Sequence, residues 1–245
     1  MIALLQKRWP PAAEVEIDGE WIAVAVKVSA RSRSYKLSLP HGGMPLLTVP
    51  RYGRWIEAKA FLERHTPWLA DRIERSVKPV AFVRDAIVPL RGVDHRIVPT
   101  GRVRGLVEAS VQDEERVLLV PGGAEHRARR LIDWLKAEAL KDLTRRVKVH
   151  AANLEVEVKS IAMRSQVTRW GSCSSNGKLN FNWRLVLAPP YVLDYVAAHE
   201  VAHLVEMNHS DAFWATVEST LPSMERGREW LRVHGRELMV YGVEG

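Results

Sequence analysis

From Glu14 onward, apolar and polar positions alternate with period two. "EVEIDGEWIAVAVKV" places an apolar residue at every second position around Asp18-Gly19, the pattern of two strands joined by a turn-forming pair. "SYKLSL" and "PLLTVP", separated by "PHGGMP", predict two further strands ending near Pro50. The period then lengthens. "RWIEAKAFLERH" carries helical spacing, and Thr66-Pro67 opens a second helix, "TPWLADRIERS", with a cap followed by proline. Residues 79–121 return to short apolar runs ("VAFV", "AIVPL", "HRIVP", "GLVEASV", "RVLLVP") punctuated by Gly92, Gly101 and Gly105, and read as strands.

Pro121-Gly122-Gly123 breaks this pattern ahead of a long helix, "AEHRARRLIDWLKAEALKDLTRRVKVHA". A boundary is expected there, with a β-rich region of two helices over 1–122 and a second region over 123–245 forming one functional unit. In the second region "VEVKSIAMR" and "VTRWGSCS" read as strands. "SSNGKLNFNWRLVLA" reads as a hairpin turning on Asn176-Gly177, its strand ended by Pro189-Pro190. "PYVLDYVAAHEVAHLVEMN" and "SDAFWATVESTL" are helical. Strands first and helices last predict an α+β fold, and no internal repeat is visible.

Composition narrows the classes. The 245 residues are 47% hydrophobic, enough for a sizeable core, and no apolar run reaches the roughly 20 residues of a membrane span. The opening "MIALLQKRWPPAAEVE" reads as no signal peptide, and a single cysteine, Cys173, excludes an intrachain disulfide; both fit the cytoplasm. Cys173 reads as a small buried hydrophobe, with a place near a metal left open. The net charge of +7 is uneven: residues 123–184 carry 13 Lys/Arg against 6 Asp/Glu, and residues 185–245 carry 4 against 9. Such asymmetry suits solubility, or a polyanion drawn to one side.

The acidic end holds the candidate chemistry, "HEVAHLVEMNH". His199 and His203 are four apart, so a helix puts them on one face within reach of a single ion, and Glu200 can reach a water on it. This is H-E-x-x-H, the zinc-hydrolase arrangement with glutamate as general base. His209 joins only if the helix ends and the chain turns back. Asn208, tolerant of the left-handed conformation, and Ser210, a helix cap, supply the signals for that turn. One such histidine would be unremarkable on a helix face; three at this spacing point to a metal centre. Glu218, Glu225 and Glu229 are alternative third ligands, and Glu206 reads as surface or supporting. Arg169, Tyr191 and His234 are candidates for contacting substrate or the developing oxyanion. Trp170, Trp183 and Trp214 read as core, and either "VTRWGSC" or "KLNFNWRL" could be an edge strand receiving an extended peptide.

"RWGSC" at 169–173, "LNFNWRLVLAPP" at 179–190 and "DYVAAHEVAHLVEMNHSDAFW" at 194–214 together resemble the YgjP-like zinc metallopeptidase family, neighbour of the SprT and WLM groups. "VSARSRSYKLSL" extends the likeness upstream more loosely, to about residues 25–237. The resemblance implies a zincin-like catalytic region behind a β-rich part. It implies His199, His203 and His209 as ligands of Zn2+, Glu200 as acid/base, and a peptide or protein substrate. Val201 follows the glutamate where leucine is common. Two alternatives stay open. One is a metal-dependent phosphohydrolase acting on nucleotides, with Arg164, Arg169 and Arg184 holding phosphate. The other is a nucleic-acid-associated protease recruited through the helix Arg127–Lys148, which has eight basic and three acidic residues. No membrane partner is expected, and the sequence leaves the oligomeric state open.

Overall fold

The computed structural model describes residues 9–40, 43–74, 79–166 and 169–242, in two compact units comprising residues 1–78 and 79–244.

The first unit is a four-stranded sheet with two helices. Strands β1 (Ala12–Ile17) and β2 (Glu20–Ser29) form the predicted hairpin, with Asp18 and Gly19 both at positive φ, as a tight primed turn requires. Strands β3 (Lys36–Ser38) and β4 (Leu46–Pro50) complete the order β1-β2-β4-β3, in which β2 and β4 run parallel. Helices α1 (Trp55–Arg64) and α2 (Thr66–Glu74) bury Ala58, Leu62 and Leu69 against Val15, Val24, Leu37, Leu47 and Val49. Alternation in the strands thus leaves one sheet face in the core and one in solvent.

The second unit begins with the same plan. Strands β5 (Ile87–Leu90), β6 (Val93–Pro99), β7 (Glu108–Gln112) and β8 (Glu115–Val120) take the order β5-β6-β8-β7, again two hairpins joined by a central parallel pair. Ser29 and Pro50, at the ends of the first parallel pair, are 21 residues apart, as are Pro99 and Val120 at the ends of the second. The repeat lies in topology, not in side chains, which is why the sequence conceals it. The expected strand "VAFV" contributes only a single bridge, from Val80 to Tyr241.

Pro121–Gly123 is a turn inside this unit. Helix α3 (Ala124–Asn153), about 45 Å long, packs Leu131, Leu135 and Ala139 onto Val88, Leu90, Ile97, Leu118 and Val120 in one continuous core. The break in pattern at 121–123 therefore marks a change of element, not of unit. The far half of α3 buries Leu143 and Val147 in a second core. That core contains Leu179 and Phe181 of β11 (Lys178–Asn182) together with the helices that follow. Strand β11 is the centre of a three-stranded sheet, between the parallel β9 (Ser160–Arg164) and the antiparallel β10 (Gly171–Cys173). The hairpin β10–β11 is present, but its turn spans Ser174 to Gly177 with only Gly177 left-handed, a longer loop than the two-residue turn expected.

After Asn182 the chain leaves the sheet. The Asn182 side chain accepts from the Arg184 N–H and starts a 3₁₀ turn over Trp183–Val186, where a strand was predicted. Every residue from Phe181 to Ala188 is buried, and an apolar run without alternation cannot distinguish strand from helix. Helices α4 (Pro190–Ala202), α5 (Asp211–Thr220) and α6 (Met224–Leu238) finish the fold. No helix of the described residues is long and apolar enough to cross a membrane.

Helices α4 and α6 touch at Gly227, where an added Cβ would meet the Tyr195 Cβ and lie 3.0 Å from the Tyr191 carbonyl oxygen. Helix propensity alone favours alanine there by about 1 kcal/mol. Gly227→Ala is nevertheless expected to destabilise by about 1–3 kcal/mol through overpacking, lowering the melting temperature by about 3–10 °C. A rise in melting temperature would show that the helices can part.

Candidate metal centre

Helix α4 carries His199 on a deeply packed framework. Val192, Val196, Ala197, Ala198, Val201 and Ala202 are all buried, so the helix is held on nearly all sides. Its position is further fixed by a polar clasp: Asp194 accepts from Arg146 and from His150 Nε2 (2.8 Å), while the other nitrogen of the fully buried His150 meets Thr220 Oγ1 at 2.8 Å. This clasp joins α3, α4 and α5. Against burial, which raises it, the hydrogen bonds from His150 and Arg146 hold Asp194 below the usual carboxylate range.

The helix stops at Ala202, earlier than its apolar pattern suggests. His203 is the C-cap, still in right-handed geometry, and the N–H groups of Leu204, Val205 and Glu206 close the turn onto Val201 and Ala202. Asn208 is not left-handed, so the expected turn device is corrected: the reversal is made by 203–206. Ser210 does cap α5, accepting from the Phe213 N–H at 3.4 Å.

The reversal brings His209 back to His199 and His203. One ligand nitrogen from each of the three lies within 4.8 Å of the others, and the Nε2 atoms of His199 and His209 are 3.1 Å apart. Nitrogens 2.0–2.1 Å from a tetrahedral ion stand about 3.4 Å from one another, a spacing that the His199–His209 pair approaches and that small ring rotations would give all three. Phe213, fully buried, forms the floor, with ring centroids 4.5–4.9 Å from all three imidazoles. His203 Nδ1 meets the Glu206 carbonyl oxygen at 3.1 Å, which turns Nε2 toward the cluster. Burial, then the neighbouring imidazoles, push His199 down to about 3, and burial also lowers His203. Neutral imidazoles are what a metal requires.

Glu200 stands beside them, 5% exposed. Its Oε2 is buried without a hydrogen-bond partner, and burial pushes the carboxyl up to about 8 against the opposing charge of Arg169. The carboxyl lies directly against Gly171 of β10: a Cβ there would sit 2.6 Å from Glu200 Cδ and Cγ. Sequence reasoning missed this role of Gly171, although a glycine inside a strand is the known signal of a close approach. Strand β10 is an edge of its sheet whereas β11 is central, which decides between the two candidate edge strands.

The other candidates separate. Arg169 is exposed and its charge reaches Glu200. Tyr191 lies two turns upstream, under the Arg226 guanidinium (3.9 Å), lining a separate cavity of about 350 Å³ with Arg91, Arg146 and Asp194. His234 lies tilted against Trp230 and meets Glu237 at 3.3 Å on α6. Glu225 and Glu229 are engaged by Arg228 and Arg232, and Glu218 is exposed on α5; none belongs to the histidine cluster. Arg184 is unsuited to holding a phosphate: it is 4% exposed, donates to the Tyr241 carbonyl and lies over Trp183. Trp183 is core, while Trp170 and Trp214 are half-buried. Cys173 is half-buried, and burial with the nearby Glu200 charge pushes its thiol up to about 11. Half of the basic residues of α3 are paired: Lys136, Lys141, Arg145 and Arg146 meet Asp133, Glu138, Asp142 and Asp194.

A search of curated proteins returns no match. Among solved structures the chain is similar to the crystal structure of the metallopeptidase zymogen of Pyrococcus abyssi abylysin, at 21% identity over 38% of this chain and 93% of that one. The TM-score is 0.34, too low for any inference here. Residues 33–234 match the family described as YgjP-like, metallopeptidase domain, a span that runs from the β2–β3 connection to α6 and includes the histidine cluster, Glu200 and Gly171. The chain belongs to the YgjP-like metallopeptidase family.

Proposed function

We propose that the chain is a zinc-dependent peptidase in which His199, His203 and His209 hold the ion and Glu200 moves the proton. The observation that carries this reading is the convergence of three imidazole nitrogens beside a buried carboxyl with one unpartnered oxygen. A bound zinc ion supplies positive charge that acidifies water and polarises the scissile carbonyl. Glu200 takes the proton of the attacking water and returns it to the departing amine, a task suited to a carboxyl poised near neutrality. The free edge of β10 offers backbone groups to an extended peptide, which would lie along the strand that supports Glu200. Exposed Arg169, whose charge reaches Glu200, is the candidate for steadying the developing oxyanion.

Metal binding tests the assignment independently of any substrate. Zinc titration of metal-free protein is expected to give one ion per chain, and His203→Ala to weaken it by more than about 100-fold, beyond the usual effect of losing a supporting partner. Unchanged zinc affinity in both His203→Ala and His209→Ala would place the ion elsewhere.

A further inference from the structure

We propose that the end of the first unit's sheet where β2 and β4 terminate is a docking surface for single-stranded nucleic acid. None of its residues belongs to the histidine cluster. It follows from strand direction. Because β2 and β4 are parallel, with Ser29 paired to Pro50, both finish at the same edge, and antiparallel β3 begins there at Lys36. The connections 30–36 and 50–54 therefore emerge together. Between them they hold Arg31, Arg33, Lys36, Arg51 and Arg54, and no acidic residue.

The two connections are tied. Tyr35 Oη accepts from the Arg54 N–H at 2.9 Å and donates to Glu57 Oε2 at 2.8 Å. The Ser32 N–H donates to Ser29 Oγ (3.2 Å) and the Ser32 hydroxyl to the Ser34 carbonyl (2.7 Å), ordering the arginine-bearing loop. All five cations are exposed. Among the described residues Arg31, Arg33, Lys36 and Arg51 have no ion-pair partner, and Arg54 reaches Glu57 only at 3.9 Å across an exposed surface. Lys27 extends the patch: Lys27 and Lys36 flank Thr48 on the solvent face of the sheet. The opposite end is acidic, with Glu16, Asp18 and Glu20 at the β1–β2 turn.

Such clustering costs self-repulsion that a polyanion relieves. Four of the five edge cations are arginines, whose planar forks match phosphate oxygens. Tyr52, 81% exposed with the Arg51 guanidinium 5.7 Å over its ring, adds a stacking surface, the combination that binds single strands. The basic helix α3 shows the contrast, with four of its eight basic residues held in ion pairs.

The test uses the full chain and a fluorescent oligothymidine of about 20 nucleotides, followed by anisotropy from about 50 to about 200 mM NaCl. The triple variant Arg31→Ala/Arg33→Ala/Arg51→Ala is expected to weaken binding at least tenfold. It should also flatten the logarithmic salt dependence by about 2, three contacts at about 0.7 each. A triple alanine variant at Arg129, Lys136 and Lys141 of α3 should bind as wild type. If the edge variant melts early, each single substitution must still lower the slope by about 0.7. Wild-type chain that ignores the oligonucleotide, loss of binding through α3 instead of the edge, or edge-dependent capture of phosphatidylserine vesicles with no oligonucleotide bound would each overturn the proposal.

Discussion

Glu200→Gln is expected to keep the metal and lower kcat on a peptide substrate by about 10²–10⁴, the range that one positioned proton carrier contributes. Glutamine matches the shape that nests against Gly171, so the helix and its histidines should stay in place. The change removes only the ability to accept and return a proton. The alternative carboxylates lie outside the cluster, because Glu225 and Glu229 are engaged by arginines on α6 and Glu218 is exposed on α5. Turnover within about threefold of wild type at full metal occupancy would assign the proton transfer to another group.

Gly171→Ala should cost nearly as much without touching a titratable atom. The added methyl would lie 2.6 Å from two carbons of Glu200, and the strand cannot easily yield. Strand β10 is held in register with β11, Gly171 opposite Phe181, and Glu200 is buried. The carboxyl must therefore swing away, and a displacement of about 1 Å at a reacting group costs about 10²-fold in rate. Zinc content and circular dichroism should stay at wild-type values while kcat falls. Preserved kcat would mean that the strand does not set the position of Glu200.

The histidine cluster was legible because it is local: a helix repeat fixes His199 and His203, and a capping serine announces that the chain restarts after His209. What failed locally was the turn between them. Asn208 carries the usual signal for reversal, yet the chain turns five residues sooner, closed by backbone bonds and by His203 reaching the Glu206 carbonyl. The contributions of Gly171 and of the Arg146–Asp194–His150 clasp depend on partners between 29 and 48 residues away, which no local pattern reveals. Distance also explains α3, whose sequence reads as a cationic face although several of its charges are matched across the fold. The 3₁₀ turn at 183–186 was illegible for another reason: burial on all sides erases the periodicity that separates strand from helix.

The two four-stranded sheets share one frame but treat its long connection differently. In the second, Arg130 reaches the carbonyls of Val103 and Gly105 at 3.4 Å and lashes residues 100–107 to the helix that supports the peptidase core. In the first, the corresponding connection is fastened, among the described residues, near its base and at Tyr35, and its arginines stand exposed. Changes of length or charge in the first connection therefore carry little penalty for folding, while the same edits in the second loosen a strut of the enzyme. The chain thus holds a variable socket and a fixed bracket cut to the same pattern.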